Sequence, residues 1–175
     1  MRNWILAGIP AAILIGGLTH SAFEFSRSNI FIGILTPVNE SVWEHLKMSF
    51  WLPLIWWIAG YFVLSRRGGI RPEKWFTACA AALYIALLFI VSSFYLYTGA
   101  LGCRSPVMDI VLFVLGIAAA QAAACQIYKH AELKKSCIYY SLFAIAVLTA
   151  AFVAFTFAPP RIPLFMDWET GSYGI

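Results

Sequence analysis

Four stretches of this chain reach the roughly 20 predominantly apolar residues that a membrane-spanning helix requires: Trp4 to Phe23, Trp75 to Tyr97, Val107 to Tyr128 and Cys137 to Phe157. A fifth, Ser49 to Leu64, is short alone. It becomes long enough if its helix starts near Pro37, where proline suits the first turn and Asn39 or Ser41 can satisfy the first free N–H groups. Charged residues make up only 11% of the chain, against about a quarter in soluble domains, so lipid is the solvent for most of its surface. These runs predict an all-α, polytopic membrane bundle of five transmembrane helices. Residues 1–158 form one domain, and residues 159–175 form an aromatic tail.

Arg2 followed by an apolar run to Leu18 also has the form of a secretory signal. No small-x-small cleavage site follows it, and the segment is read as a retained first span. Between the first and second spans, Ile30-Phe31-Ile32-Gly33-Ile34-Leu35 is apolar but too short to cross. That length predicts a re-entrant or interfacial segment. Non-helical backbone at membrane depth must be buried in protein or line a wet cavity, so a cavity is expected beside Asn39 and Glu40.

Five spans put Arg2, Arg66, Arg67, Arg71, Lys74, Lys129, Lys134 and Lys135 on one side, and Arg27, Lys47, Arg104 and Arg161 on the other. The basic excess places the amino terminus in the cytoplasm and the carboxyl terminus outside, as in a bacterial inner membrane. Topology and contact with anionic membrane lipids account for the basic loops, and nothing resembles a nucleic-acid-binding module. Cys79, Cys125 and Cys137 fall in apolar spans and only Cys103 in a loop, which excludes a disulfide framework.

The same topology gathers Glu24, Glu40, Glu44, Asp109, Asp167 and Glu169, with His20 and His45, on the outer side. Polar groups at the ends of apolar spans are candidates for function. His20 and Glu24 share a face if the first helix is continuous. On a helix running from Pro37, Glu40, Glu44 and Lys47 lie within about 60° of one another, and His45 lies a quarter turn or more away. Glu44 then pairs with Lys47, leaving His45 free to face another helix. Two histidines with nearby carboxylates match the ligands of zinc or a redox metal, with a spare carboxylate as general base. His20, Glu24 and His45 are the metal candidates, and Glu40 and Glu44 are the catalytic ones. A hydrogen-bonded ring that stitches helix ends together is the competing account of these residues.

Ser105 is placed to cap the fourth helix, with Pro106 and Asp109 in its first turn. Arg104, just before it, suits a phosphate or carboxylate. Ala158-Pro159-Pro160 ends the fifth helix. The tail beyond is too aromatic for a disordered segment and predicts a flap over the outer face, or an interfacial anchor through Trp168 and Tyr173. A flap would bring Arg161 and Asp167 to the polar cluster, where they join Asn39 and Arg104 as substrate-binding candidates. Gly116, Ala120 and Ala124 form a small-residue seam, across which Gln121 is expected to hydrogen-bond.

The string Asn39-Glu40-Ser41-Val42-Trp43-Glu44-His45-Leu46-Lys47 is preceded by His20 and Glu24-Phe25-Ser26 and closed by Pro159-Pro160 and Phe165 through Ile175. With these elements the chain resembles, over essentially its whole length, a family of small bacterial multi-pass membrane proteins known as a domain of unknown function. The resemblance implies the membrane class and carries no activity.

From the residues themselves, the expected function is a membrane-embedded hydrolase or transferase. A divalent metal such as zinc is the expected cofactor, and a lipid or lipid-anchored molecule the expected substrate. Two other classes fit the same positions. One is a small-molecule or ion-coupled transporter titrating Glu40 and His45, in which a homodimer would restore the symmetry that five spans lack. The other is a non-catalytic assembly or immunity partner of another membrane protein.

Overall fold

Described here from a computed structural model, residues 1–66 and 68–175 form seven α-helices in chain order. They are α1 (Arg2–Thr19), α2 (Ala22–Phe25), α3 (Ile30–Leu35), α4 (Val42–Ser65), α5 (Pro72–Leu101), α6 (Pro106–His130) and α7 (Cys137–Phe157), followed by a 3-10 turn, Pro163–Phe165. Arg67, counted above with the basic loops, lies outside the described residues. Five helices, α1 and α4 to α7, are long and apolar enough to cross a membrane, as expected of a five-span bundle. Apolar side chains cover the exterior as well as the core: Leu14 is 69% exposed, Leu96 74% and Phe143 70%. Apolar surface this continuous marks a lipid-facing exterior.

Helix α5 packs against α4, α6 and α7, while α1 fits against α4 and α6. Gly116, Ala120 and Ala124 are buried, and a Cβ on Gly116 would come within 2.8 Å of Ile90 on α5. The small-residue seam thus lets α6 approach α5 closely. Gln121 is buried in the same stretch, but among the described residues its Oε1 has no hydrogen-bond partner, and the expected bond across the seam is not seen there. Two indole N–H groups are satisfied reciprocally between α1 and α4 instead. Trp4 donates to the Trp56 carbonyl at 3.2 Å, and Trp56 donates to the Trp4 carbonyl at 2.9 Å. Their rings stack at 4.7 Å.

Two helix boundaries differ from expectation, and both shape the site. The first helix does not run on to Phe23. It ends at Thr19, after Gly16 and Gly17 have weakened the last turn and the Thr19 hydroxyl has bonded back to the Gly16 carbonyl at 3.1 Å. The fourth helix begins at Val42, not near Pro37. Pro37 disfavours helical backbone in Thr36, its predecessor, and the Asn39 side chain accepts from Ser41 N–H at 3.0 Å, holding a turn. Ser41 then caps α4, its hydroxyl accepting from Glu44 N–H at 3.2 Å.

The tail after α7 is tied to the same end of the bundle. Phe165 is buried against Trp43 and Phe155, with ring centroids at 4.9 and 5.2 Å. Ile175 N–H donates to the Thr156 carbonyl at 3.1 Å, and the Asn39 amide donates to the Gly174 carbonyl at 3.1 Å. Met166 and Tyr173 form an antiparallel bridge, with Asp167 N–H bonded to the Ser172 carbonyl at 2.9 Å.

Candidate metal centre

The short helix α3 ends in backbone carbonyls that need donors in an apolar setting. Lys47 supplies them. Its Nζ donates to the Gly33 carbonyl at 2.7 Å and the Thr36 carbonyl at 3.4 Å, and pairs with Glu44 Oε2. The same Glu44 oxygen accepts from Val38 N–H at 3.1 Å. Lys47 and Glu44 are fully buried. Gly33 is the residue that fits there, because a Cβ would lie 2.8 Å from Val38 and 2.9 Å from Phe23. The expected Glu44–Lys47 pair is therefore present, and it fastens the returning segment to α4.

One residue along, His45 points elsewhere. Its Nδ1 lies 2.9 Å from the Ser41 carbonyl. A carbonyl only accepts, so the proton sits on Nδ1, and in the neutral ring the Nε2 lone pair is free. That Nε2 lies 2.9 Å from His20 Nε2 and 3.3 Å from Glu40 Oε2. One ligand atom from each of the three residues lies within 4.8 Å of the others, and all three side chains are half-buried. Ligand atoms about 2.0–2.1 Å from a tetrahedral zinc are about 3.3 Å apart, close to the two spacings that His45 makes. In the imidazolium form, His45 Nε2–H donates to Glu40, and this hydrogen bond holds the Glu40 carboxyl below the usual carboxylate range despite burial.

The cluster stands at the mouth of a cavity of about 710 Å³ between α1, α4, α5 and α6. Arg104 and Asp109 share that mouth, and Trp168 of the tail covers part of it. The Arg104 guanidinium lies between aromatic rings, 5.5 Å from the Phe94 centroid and 5.6 Å from that of Trp168, in cation–π range of both. Among the described residues it has no carboxylate partner, so the edge of its N–H fork is free. Asp109 accepts from the Tyr97 hydroxyl at 2.6 Å. Tyr97 also accepts from Ser105 N–H at 3.3 Å, joining the loop before α6 to its first turn.

Of the residues singled out from sequence, His20, His45, Glu40 and Arg104 are brought together. Glu24 is not: His20 caps α1, and Glu24 lies exposed on the separate helix α2, outside the cluster. Glu44 is held by Lys47, and Asn39 spends both ends of its amide on backbone. Arg161 is exposed and does not line the cavity. Asp167 is buried and folds the tail: its carboxylate accepts from Glu169 N–H at 2.8 Å and the Thr170 hydroxyl at 2.9 Å. Burial works to raise the Asp167 carboxyl, but these donors outweigh it and hold the group below its usual range. Sequence reasoning missed two roles, Glu40 as a partner of the histidines and Asp109 as a cavity residue. A break at the Ser41 cap and a tyrosine one turn before the next loop were the available signals.

DUF6512, described as a family of unknown function, matches residues 1–175. The chain belongs to that family. No curated protein and no solved structure matches it. For this DUF6512 chain the polar cluster and its cavity are therefore the ground for any functional statement.

Proposed function

We propose that His20, Glu40 and His45 hold a divalent metal in a membrane-embedded hydrolase or transferase acting on a lipid or lipid-anchored substrate. The observation that carries this reading is the direction of the His45 ring. Its proton is committed to the Ser41 carbonyl, so its free Nε2 faces a second imidazole nitrogen and a carboxylate. Such a convergence of electron pairs calls for a shared cation. Two nitrogens and one oxygen also match the three-ligand sets of catalytic zinc, which leave a position open for water or substrate.

A metal held there supplies Lewis acidity and a more acidic bound water. With Glu40 acting as a ligand and Glu44 committed to Lys47, Asp109 is the carboxylate left at the cavity mouth. It takes the proton from the attacking water and returns it to the departing oxygen, and Arg104 holds the negative charge that develops on the substrate. The basic excess on the opposite loops supports placing this end of the bundle outside a bacterial inner membrane.

Metal analysis tests the reading. Protein stripped with chelator, reloaded with zinc and dialysed should retain the ion, and His20→Ala, Glu40→Gln and His45→Ala should each lose it, while Glu24→Gln keeps it. No retention in any preparation overturns the metal site. The short contact between the two histidines also accommodates a shared proton, which favours ion-coupled transport as the second reading. Proton-driven uptake in liposomes that Glu40→Gln abolishes, without metal retention, would select it.

A further inference from the structure

The cavity has a polar mouth and an apolar body. Its walls from Ile13 to His20 on α1 and from Pro106 to Val114 on α6 correspond to about 10–12 Å of helix at ~1.5 Å per residue. The chamber therefore reaches roughly a third of the way through a hydrocarbon core of about 30 Å. Below the polar groups it is lined by Ile13, Met48, Ile90 and Phe113. On one side, between α1 and α6, lining residues are exposed. Gly17 and Ile110 both line the cavity and are exposed, Ile110 by 64%, and among the described residues nothing outside its own helix backbone and chain neighbours would lie within 4 Å of a Cβ on Gly17. An apolar chamber open to the membrane fills with hydrocarbon. At its mouth, Arg104 presents a free planar fork suited to two oxygens of one anion.

From this, resting on the metal reading only for the second charge at the mouth, we infer that the cavity takes one hydrocarbon chain of a lipid with an oxyanionic headgroup. The chain enters sideways between α1 and α6 past Gly17. The headgroup is held between Arg104 and the His20–Glu40–His45 centre. Phosphate and carboxylate share this chemistry, and the choice of probe distinguishes them.

Binding of dodecyl phosphate and dodecanoate to the full-length protein in nanodiscs can be followed by native mass spectrometry, with dodecanol and inorganic phosphate as half-probes. At least one amphiphile should bind about tenfold or more tightly than either half-probe, since each lacks one side of the recognition. The tighter of the two names the oxyanion. Arg104→Ala should weaken it by about tenfold or more through loss of a charge-assisted pair. Gly17→Phe and Ile110→Trp fill the side opening from positions with room for them, and each should weaken it comparably while zinc retention is unchanged. Amphiphiles that bind no better than the half-probes, or undiminished binding in both opening variants, would overturn the inference. The two readings fail separately. Chain-dependent, Gly17-sensitive binding without zinc retention keeps the cavity and removes the metal, whereas zinc retention with Gly17-insensitive binding does the reverse.

Discussion

Glu44 and His45 are neighbours in the chain and do opposite work. Glu44 turns inward to Lys47, whose ammonium finds a carboxylate and two backbone carbonyls in a space closed to water. His45, about 100° further round the helix, turns to the cavity, where its lone pair meets His20 and Glu40 at half-buried positions. Both clusters look like buried polar chemistry in a greasy chain. What separates them is access to open volume: the Lys47 cluster is enclosed, and among the described residues Glu44 Oε1 stays without a partner even there. The Lys47 side holds a returning segment in place, while the His45 side leaves electron pairs facing one another beside open volume.

The contrast is broken most forcefully at Lys47. Lys47→Met leaves buried Glu44 without its counter-charge and the end of α3 without the ammonium donor, and should cost about 3–5 kcal/mol, as for other broken buried pairs, visible as a lowered unfolding temperature in detergent. Replacing both partners, Glu44→Leu with Lys47→Met, should recover part of that loss, because no charge is then stranded. Asp167→Asn should cost about 1–3 kcal/mol, the scale of charged hydrogen bonds, and release the tail to added protease.

The pH dependence of Asp167 follows from its lowered pKa. Its stabilising contribution is present above the ordinary aspartate range and disappears as pH falls through the depressed folded value. Wild-type tail protection should therefore fade in acid, and the Asn variant should lack that component. Ser41→Ala removes the helix cap and should cost about 1 kcal/mol by thermal melt. Smallest of all, His20→Ala should change stability by less than about 0.5 kcal/mol while abolishing metal retention. Destabilisation by His20→Ala as large as that of Lys47→Met would erase the distinction between the clusters.

The spans were legible because length and hydropathy alone decide them, and the Glu44–Lys47 pair because i, i+3 neighbours share a helix face. The site was only half legible. Placing Glu40 on the helix assigned it to the Glu44 side; its position before the Ser41 cap instead frees its carboxylate to reach His45. Glu24 was paired with His20 by assuming a helix that stops at Thr19. Asp109 fits the rule for a first-turn carboxylate so well that its second role, lining the cavity while bonded to Tyr97, stayed hidden until α5 and α6 were placed side by side. Each miss arose where a few residues at a helix end set the direction of a side chain, and periodicity says least at helix ends.

The most direct test is X-ray absorption at the zinc edge of the reloaded protein. The account predicts a site with two imidazoles and a carboxylate oxygen, absent from His45→Ala, which retains no zinc, and unchanged in Glu24→Gln. Zinc bound only through oxygen and water, with the same spectrum in His45→Ala, would contradict it.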